Sequence, residues 1–207
     1  MKKRTYPKVC FVWVILAVIA MLAAGCGGAS KPSKFYLLHS LPEPEARIST
    51  AADKAGLSVL IGPITLPAYL DRTQVVTLSG EHELVFDEFT RWAEPLQDNF
   101  YRILVENLSL LLETPEVYAY DRRGSTPADI QIIIDVTRFD TDAEGDAYLT
   151  AFWTVTGKDG KAASIRRKSV FHAAAPSPGI TGILKAQNRT LTEFSREIAG
   201  AVQSFKP

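Results

Sequence analysis

The stretch DIQIIIDVTRFDTDAEGDAYLTAFWTVT, residues 129–156, contains two segments in which apolar residues occupy every second position. Alternate residues point to the same face of a strand, so this period of two predicts a pair of long strands, residues 129–139 and 147–156. In the first segment the residues that share one apolar face are Ile130, Ile132, Ile134 and Val136. The acidic run between the segments lacks the final glutamate of a calcium loop, and it predicts a solvated hairpin turn at Asp140, Asp142, Glu144 and Asp146.

Shorter patterns on either side of this pair complete the predicted fold. Apolar residues at helical spacing predict two helices, residues 94–113 and 179–205. Further strands are predicted at residues 35–38, 57–66, 74–79, 83–86, 117–120 and 163–173. Proline cannot donate to a strand ladder, so Gly62-Pro63 predicts a bulge or an edge position. The order of elements predicts an α+β fold: one domain with a mixed, largely antiparallel sheet and two main helices packed on it.

The N-terminus has the layout of a secretory signal peptide. Four basic residues within positions 2–8 precede an apolar run, and small residues then lead to Cys26 in LAAGC, residues 22–26. This ending resembles the bacterial lipobox, in which the cysteine thiol receives a diacylglyceryl group, the chain is cut before the cysteine, and the new amine is acylated. The uncharged run of residues 9–24 is shorter than the roughly 20 residues that span a bilayer.

The lipobox predicts how the chain is divided. Residues 1–25 would be a cleaved lipoprotein signal peptide, residues 26–34 the lipidated cysteine and a tether, and residues 35–207 the folded domain. Residue 27 is glycine rather than aspartate. By analogy with lipoprotein sorting in Gram-negative bacteria, this favours the periplasmic face of the outer membrane.

Composition argues against nucleic-acid binding and against a disulfide in the mature chain. The full chain has 23 basic and 23 acidic residues, and its first 25 residues contain four of the basic ones, so the remainder is mildly acidic. A mildly acidic chain without a basic stripe is a poor candidate for nucleic-acid binding. Cys10 lies in the predicted signal peptide, so Cys26 is the single cysteine left, and no disulfide is expected.

Motifs for catalysis and metal binding are absent from the sequence. His39, His82 and His172 are far apart and have no metal-ligand spacing. The sequence contains no nucleophile elbow, phosphate loop or zinc-protease motif. We therefore predict a protein that is not an enzyme and that needs no cofactor or metal.

Two short segments combine aromatic, apolar and charged residues as binding sites do. They are LPAYLDR, residues 66–72, and RWAEPL, residues 91–96. Trp92 has two interpretations: a packing residue of the core or helix start, or a loop aromatic that anchors a partner. Tyr69 and Arg72 have the same two interpretations, and Trp, Tyr and Arg are the residue types enriched at binding hot spots.

Taken in order along the chain, these segments resemble a known family. Cys26, FYLL (residues 35–38), VLIGPITLP (59–67), YLDR (69–72), WAEPL (92–96) and the strand at residues 147–153 together resemble the PqiC-type lipoproteins. These are the auxiliary lipoprotein component of ABC-type intermembrane transport systems. The resemblance covers about residues 35–205, and the family's fold of mixed strands with two main helices agrees with the predicted pattern.

The resemblance implies a non-enzymatic role in lipid transport. The family works with periplasmic MCE-domain proteins, whose tubes or rings carry lipid between the two membranes. It implies that this lipoprotein sits under the outer membrane, docks the far end of the tube and contributes to envelope integrity. A ring of the lipoprotein would let every subunit make the same contact with a ring-shaped partner.

Two other functions remain open at the level of the sequence. The chain could be an envelope assembly or scaffold lipoprotein with another partner. It could also be a hydrolase or a lipid-carrying pocket protein, the latter needing an apolar cavity of several hundred cubic ångströms, on the order of a ligand pocket.

Overall fold

The computed structural model describes residue 13 and residues 31–42, 57–80, 82–120, 128–158 and 164–205. The chain divides into two compact units, Met1–Pro32 and Ser33–Pro207, and every strand and helix named below belongs to the second unit. The predicted signal peptide, Cys26 and residues 27–30 of the predicted tether lie outside the described residues, apart from residue 13. Among the helices that are described, none has both the length and the apolar character needed to cross a membrane.

The second unit contains eight strands and two long helices within the described residues. The strands are β1 (Lys34–Tyr36), β2 (Val59–Thr65), β3 (Gln74–Ser79), β4 (Glu83–Trp92), β5 (Val117–Ala119), β6 (Ile130–Thr141), β7 (Ala147–Gly157) and β8 (Ile165–Ala173). The helices are α1 (Leu96–Leu112) and α2 (Ile180–Ser204), and a short 3-10 helix, Ala68–Leu70, follows β2.

Strand β6 is the centre of the sheet. Along one edge it pairs antiparallel with β7, which in turn pairs antiparallel with β8. Its other edge is shared by two consecutive parallel strands: β2 runs beside the first half of β6, and β3 reaches it where Thr77 lies opposite Thr141. Strand β5 extends the sheet beyond β2, whereas β4 and then β1 extend it beyond β3. The chain therefore follows one edge of β6 twice, with an interruption at residues 66–73.

One face of the central strands forms the core with the helices. The β7 residues Ala147, Leu149, Ala151, Trp153 and Val155 are all buried. Phe100 of α1 packs edge-on against Phe139 of β6, with ring centroids 5.2 Å apart. Trp153 packs edge-on against Phe194 of α2 at 6.3 Å, and its indole N–H donates to Ser169 Oγ at 2.9 Å. These contacts confirm the predicted sheet with two helices packed on it.

A segment that we call the strap, residues 38–41, joins β1 to the helical layer, and its two end residues, Leu38 and Leu41, are buried. The backbone N–H of Leu38 donates to Asn99 Oδ1 at 2.7 Å, and that of Leu41 donates to Asn107 Oδ1 at 2.8 Å. Asn107 also donates to Ser195 Oγ of α2 at 3.0 Å. The two asparagines lie about two turns apart on α1, so they hold the strap along the helix at both ends.

The structure refines several sequence predictions. The predicted bulge at Gly62-Pro63 is confirmed, because the pairing of β2 with β6 shifts register between Ile61 and Ile64. Strand β4 extends to Trp92 rather than ending at residue 86, and α1 begins at Leu96 rather than residue 94. The sequence prediction missed residues 87–91 of β4 because Asp87 interrupts the alternation of residue types. In the structure Asp87 Oδ1 accepts a hydrogen bond from the backbone N–H of Phe89.

The acidic run after β6 is only partly the solvated turn that the sequence predicts. Asp140 lies within β6 and is 4% exposed. Arg138 Nε donates to Asp140 Oδ1 at 2.8 Å, so the buried carboxylate is paired. Asp142 and Asp146 do lie in the turn, where Asp142 accepts from the backbone N–H of Asp146.

Candidate partner-binding cleft

The interruption between β2 and β3 builds the first wall of a cleft. After Pro67 the chain forms a 3-10 turn whose buried anchor is Leu70, and the N–H of Leu70 donates to the Pro67 carbonyl at 2.9 Å. The Tyr69 hydroxyl donates to Asp140 Oδ2 at 2.6 Å and thereby fixes the turn to the free edge of β6. The buried Leu70 side chain and the bond from Tyr69 to Asp140 thus hold the 3-10 turn in place.

The end of β4 and the start of α1 build the second wall. The Trp92 N–H donates to the Thr73 carbonyl at 2.7 Å, and the Ala93 N–H donates to the Tyr36 carbonyl at 2.9 Å. Pro95 then precedes α1, a position where the missing N–H of proline costs little because the first helical N–H groups have no partner. The first bond places the helix start beside the segment that follows β2, and the second joins it to β1.

The two walls enclose an open cleft of about 660 Å³. It is lined by Leu66, Pro67, Ala68, Leu70, Asp71, Arg72 and Thr73 on one wall and by Trp92, Ala93, Glu94, Pro95, Leu96, Gln97 and Asp98 on the other. The two segments selected from the sequence, residues 66–72 and 91–96, therefore meet in space although about 20 residues separate them.

The three predicted site residues occupy different positions around the cleft. Arg72 lines it and is exposed; its Nε donates to the Tyr69 carbonyl at 2.9 Å, and its guanidinium lies 3.9 Å from the centre of the Phe86 ring. Tyr69 is half-buried behind the loop, where it bonds Asp140. Tyr69 therefore shapes the loop, whereas Arg72 is available to a ligand.

Trp92 forms part of the inner wall of the cleft and part of the core. Its side chain is 4% exposed, and its indole nitrogen has no hydrogen-bond partner among the described residues. The burial of Trp92 agrees with its interpretation as a packing residue. Trp92 is the last residue of β4 and does not lie in a loop. A partner could touch only the small portion of the ring that faces the cleft.

Carboxylates surround the opening of the cleft. Asp71 lies on the loop wall, and Glu94 and Asp98 lie on the helix wall. Glu94 pairs with Arg102 at 2.7 Å, whereas Asp71 and Asp98 have no ion pair within the described part of the chain. Asp98 and Gln97 were not selected as site residues from the sequence, since they look like ordinary solvent-facing residues of an amphipathic helix.

The described residues hold no metal-binding cluster. Across residues 31–42, 57–80, 82–120, 128–158 and 164–205, no group of three His, Cys, Asp or Glu side chains could hold a metal ion. His172 instead contacts Asp146 at 3.3 Å and stacks on Tyr148.

Replacing Tyr69 by phenylalanine is expected to lower the free energy of unfolding at neutral pH by about 1 to 2 kcal/mol, because it removes a hydrogen bond to a buried carboxylate. Burial, followed by the bond to Asp140, raises the pKa of the Tyr69 hydroxyl above its ordinary 10.0. A raised pKa in the folded state contributes stability that is fully present below pH 10 and is lost as the pH rises further. The difference between the wild type and Tyr69→Phe should therefore shrink above pH 10.

Urea unfolding at neutral pH and at about pH 10.5 measures this difference. Tyr120→Phe serves as the control, because the Tyr120 side chain is exposed. An unchanged free energy of unfolding for Tyr69→Phe at neutral pH would show that the bond to Asp140 does not hold the loop.

Comparisons with known proteins agree with this architecture. Residues 36–199 match the family model described as the ABC-type transport auxiliary lipoprotein component. The chain is 26% identical over 141 residues to the intermembrane transport lipoprotein PqiC of Escherichia coli, an alignment that covers 68% of this chain and 72% of that protein.

Two crystal structures have the same fold. One, of an uncharacterized protein, has a TM-score of 0.65 at 18% identity and covers 83% of this chain and 99% of that one. Another, of a protein from Xanthomonas campestris, has a TM-score of 0.58 at 16% identity, with 83% and 92% covered. The family match spans the strap, both walls of the cleft, the central strands and most of α2. This chain therefore belongs to the family of ABC-type transport auxiliary lipoprotein components, the PqiC-type lipoproteins.

Proposed function

We propose that this protein is an auxiliary subunit of an MCE-type intermembrane lipid transport system, anchored at the periplasmic face of the outer membrane through acylated Cys26. In this role residues 1–25 are removed, residues 26–34 form the anchor and tether, and residues 35–207 form the docking domain. The protein receives the far end of a periplasmic tube made by an MCE-domain protein, and envelope integrity depends on that contact. The proposal rests on family membership and on the cleft.

The convergence of residues 66–73 and 92–98 on one cleft is the observation that carries a docking role. The cleft combines an apolar floor with a charged rim, which is the anatomy of a protein interface with a core and a polar periphery. Arg72 and the exposed portion of Trp92 are residue types enriched in binding hot spots, and they lie on opposite walls.

The packing of the core favours docking over storage of lipid inside the domain. Phe100, Phe139, Trp153 and Phe194 are buried and fill the space between the sheet and the helices. An acyl chain held between those layers would have to displace these side chains. We therefore place the transported lipid in the partner's tube and give this domain the task of positioning it.

The tether sets the distance between domain and membrane. Seven residues separate Cys26 from residue 34, and a random-coil chain of seven residues would reach about 15 Å. A tube docked on such a domain stays close to the lipid surface with which it exchanges. A ring of lipoproteins would match a ring-shaped partner, since equivalent subunits then use equivalent contacts.

Recovery of partners from membranes tests the proposal. The lipidated wild type should co-purify with an MCE-domain protein identified by mass spectrometry. Ala68→Arg, which adds a long charged side chain to an exposed position in the cleft, should reduce that recovery at least about tenfold, since blocking a hot-spot cleft costs more than about 1.4 kcal/mol.

Ala174→Arg is the matched control, because Ala174 is also exposed and does not line the cleft. Recovery of other envelope machinery, with no MCE-domain protein although one is expressed, would favour the scaffold role. Equal recovery with Ala68→Arg and Ala174→Arg would remove the cleft from the contact.

A further inference from the structure

We propose that the occupant of the cleft is a protein segment that presents an apolar side chain next to a lysine or arginine. This inference rests on the proposed function in one respect, namely that the cleft docks a protein. It goes further by naming the chemistry of the segment that the cleft recognises.

The floor of the cleft is suited to an apolar side chain. Leu66, Leu70, Trp92 and Leu96 contribute apolar atoms from both walls. Pro67 and Pro95 lie on opposite walls and offer no backbone N–H to a ligand. Affinity at such a floor comes from removing apolar surface from water, at roughly 25 cal/mol per Å².

The rim is suited to a cation. Asp71 and Asp98 are exposed, lie on opposite walls and have no ion pair within the described part of the chain. Glu94 adds a third carboxylate, which Arg102 already pairs. A basic side chain entering between the walls would meet two unpaired carboxylates, and it would be steered there before contact.

Arg72 lines the same cleft but does not pair with the carboxylates of the rim. Its Nε is committed to the Tyr69 carbonyl, and its guanidinium plane covers the Phe86 ring. It makes no ion pair with Asp71 or Asp98 among the described residues. The guanidinium therefore lies against Phe86, and its remaining N–H groups stay available to a ligand.

The same charges disfavour an anionic lipid headgroup as the occupant. A phosphate at the cleft would face carboxylates from both walls. The start of α1 has no side-chain cap, but its first turn contains Asp98, whose negative charge already complements the helix N-terminus. A phosphate would have to compete with that carboxylate, so charge favours a basic protein segment.

Site-specific photocrosslinking tests the inference in the full, lipidated protein. A benzophenone amino acid replaces Ala68 in the cleft, or Ala174 as the control position, and isolated membranes are irradiated. Mass spectrometry of the adduct should identify a protein segment with a lysine or arginine within about three residues of the crosslinked apolar residue. The pair Asp71→Asn and Asp98→Asn should lower the yield at least about fivefold, whereas Asp71→Glu with Asp98→Glu should retain it.

The outcomes separate this inference from the proposed function. A crosslink to lipid, a segment without a basic residue, an unchanged yield in the asparagine pair, or no crosslink from position 68 would each overturn the inference. The inference would stand and the proposed function would fail if the basic, apolar segment belonged to a protein without an MCE domain. The proposed function would stand and the inference would fail if an MCE-domain protein crosslinked through an acidic segment.

Discussion

Replacing Cys26 by serine is expected to abolish acylation and to release the domain from the membrane without unfolding it. In the proposed anchor the Cys26 sulfur is the nucleophile that accepts the diacylglyceryl group, and a serine hydroxyl is a far weaker nucleophile. Each buried methylene contributes ~0.8 kcal/mol to membrane binding, so several acyl chains make a durable anchor that the variant loses completely. Labelling of growing cells with an alkyne palmitate analogue should detect essentially no acylated protein.

Cys10→Ser is the matched control, because Cys10 belongs to the predicted signal peptide and should not be acylated. Outer-membrane fractions should contain this control at the wild-type level. Circular dichroism of the protein released from the Cys26→Ser cells should match that of the wild-type domain. Acyl label or outer-membrane association that persists in Cys26→Ser would show that the anchor lies elsewhere.

Replacing Trp153 by alanine is expected to lower the free energy of unfolding by about 3 to 5 kcal/mol, the range for truncating a large aromatic residue in a core. Trp153 is 1% exposed, packs against Phe194 and donates to Ser169 Oγ. The variant therefore opens a cavity between β7 and α2, and it also leaves the buried Ser169 hydroxyl without this partner. Such a loss is a large fraction of the roughly 5 to 15 kcal/mol typical of whole domains.

Phe152→Ala provides a control one residue away on the opposite face of β7. Phe152 is 38% exposed, so its truncation should cost less than about 1 kcal/mol. Urea titrations of the domain without residues 1–26, followed by far-UV circular dichroism, compare the two variants without relying on tryptophan fluorescence. A similar loss of unfolding free energy in both variants would contradict the burial of Trp153 on one face of β7 and the exposure of Phe152 on the other.

The cleft exists because one edge of β6 is only partly paired. Strand β2 leaves the edge after Thr65 and β3 returns to it at Thr77, opposite Thr141. The residues between β2 and β3 are free to form a wall, and the unpaired stretch of β6 provides Asp140 to hold it. A cleft built in this way is framed by paired strands, because residues 66–73 connect β2 to β3 and β4 ends at Trp92.

Sequence reasoning succeeded where one physical rule controlled the outcome. Alternation along residues 130–136 and 147–155 follows burial of one sheet face, and both strands were found with that face in the core. It failed where local rules competed with tertiary contacts. The end of β4 looked like a loop because Asp87 interrupts the pattern, and Asp140 looked solvated because its partners Tyr69 and Arg138 are identified only by the pairing of strands.

The amino-acid sequence by itself determined the α+β class, the two helices and the two segments that later formed the cleft, because periodicity and residue type are local properties that a folded chain must respect. Only the tertiary structure decided that residues 66–73 and 92–98 face each other, that Trp92 is buried and that Arg72 is turned toward Phe86. These facts follow from β2 and β3 sharing one edge of β6. Such pairing depends on contacts between residues about 70 positions apart, which no local pattern encodes.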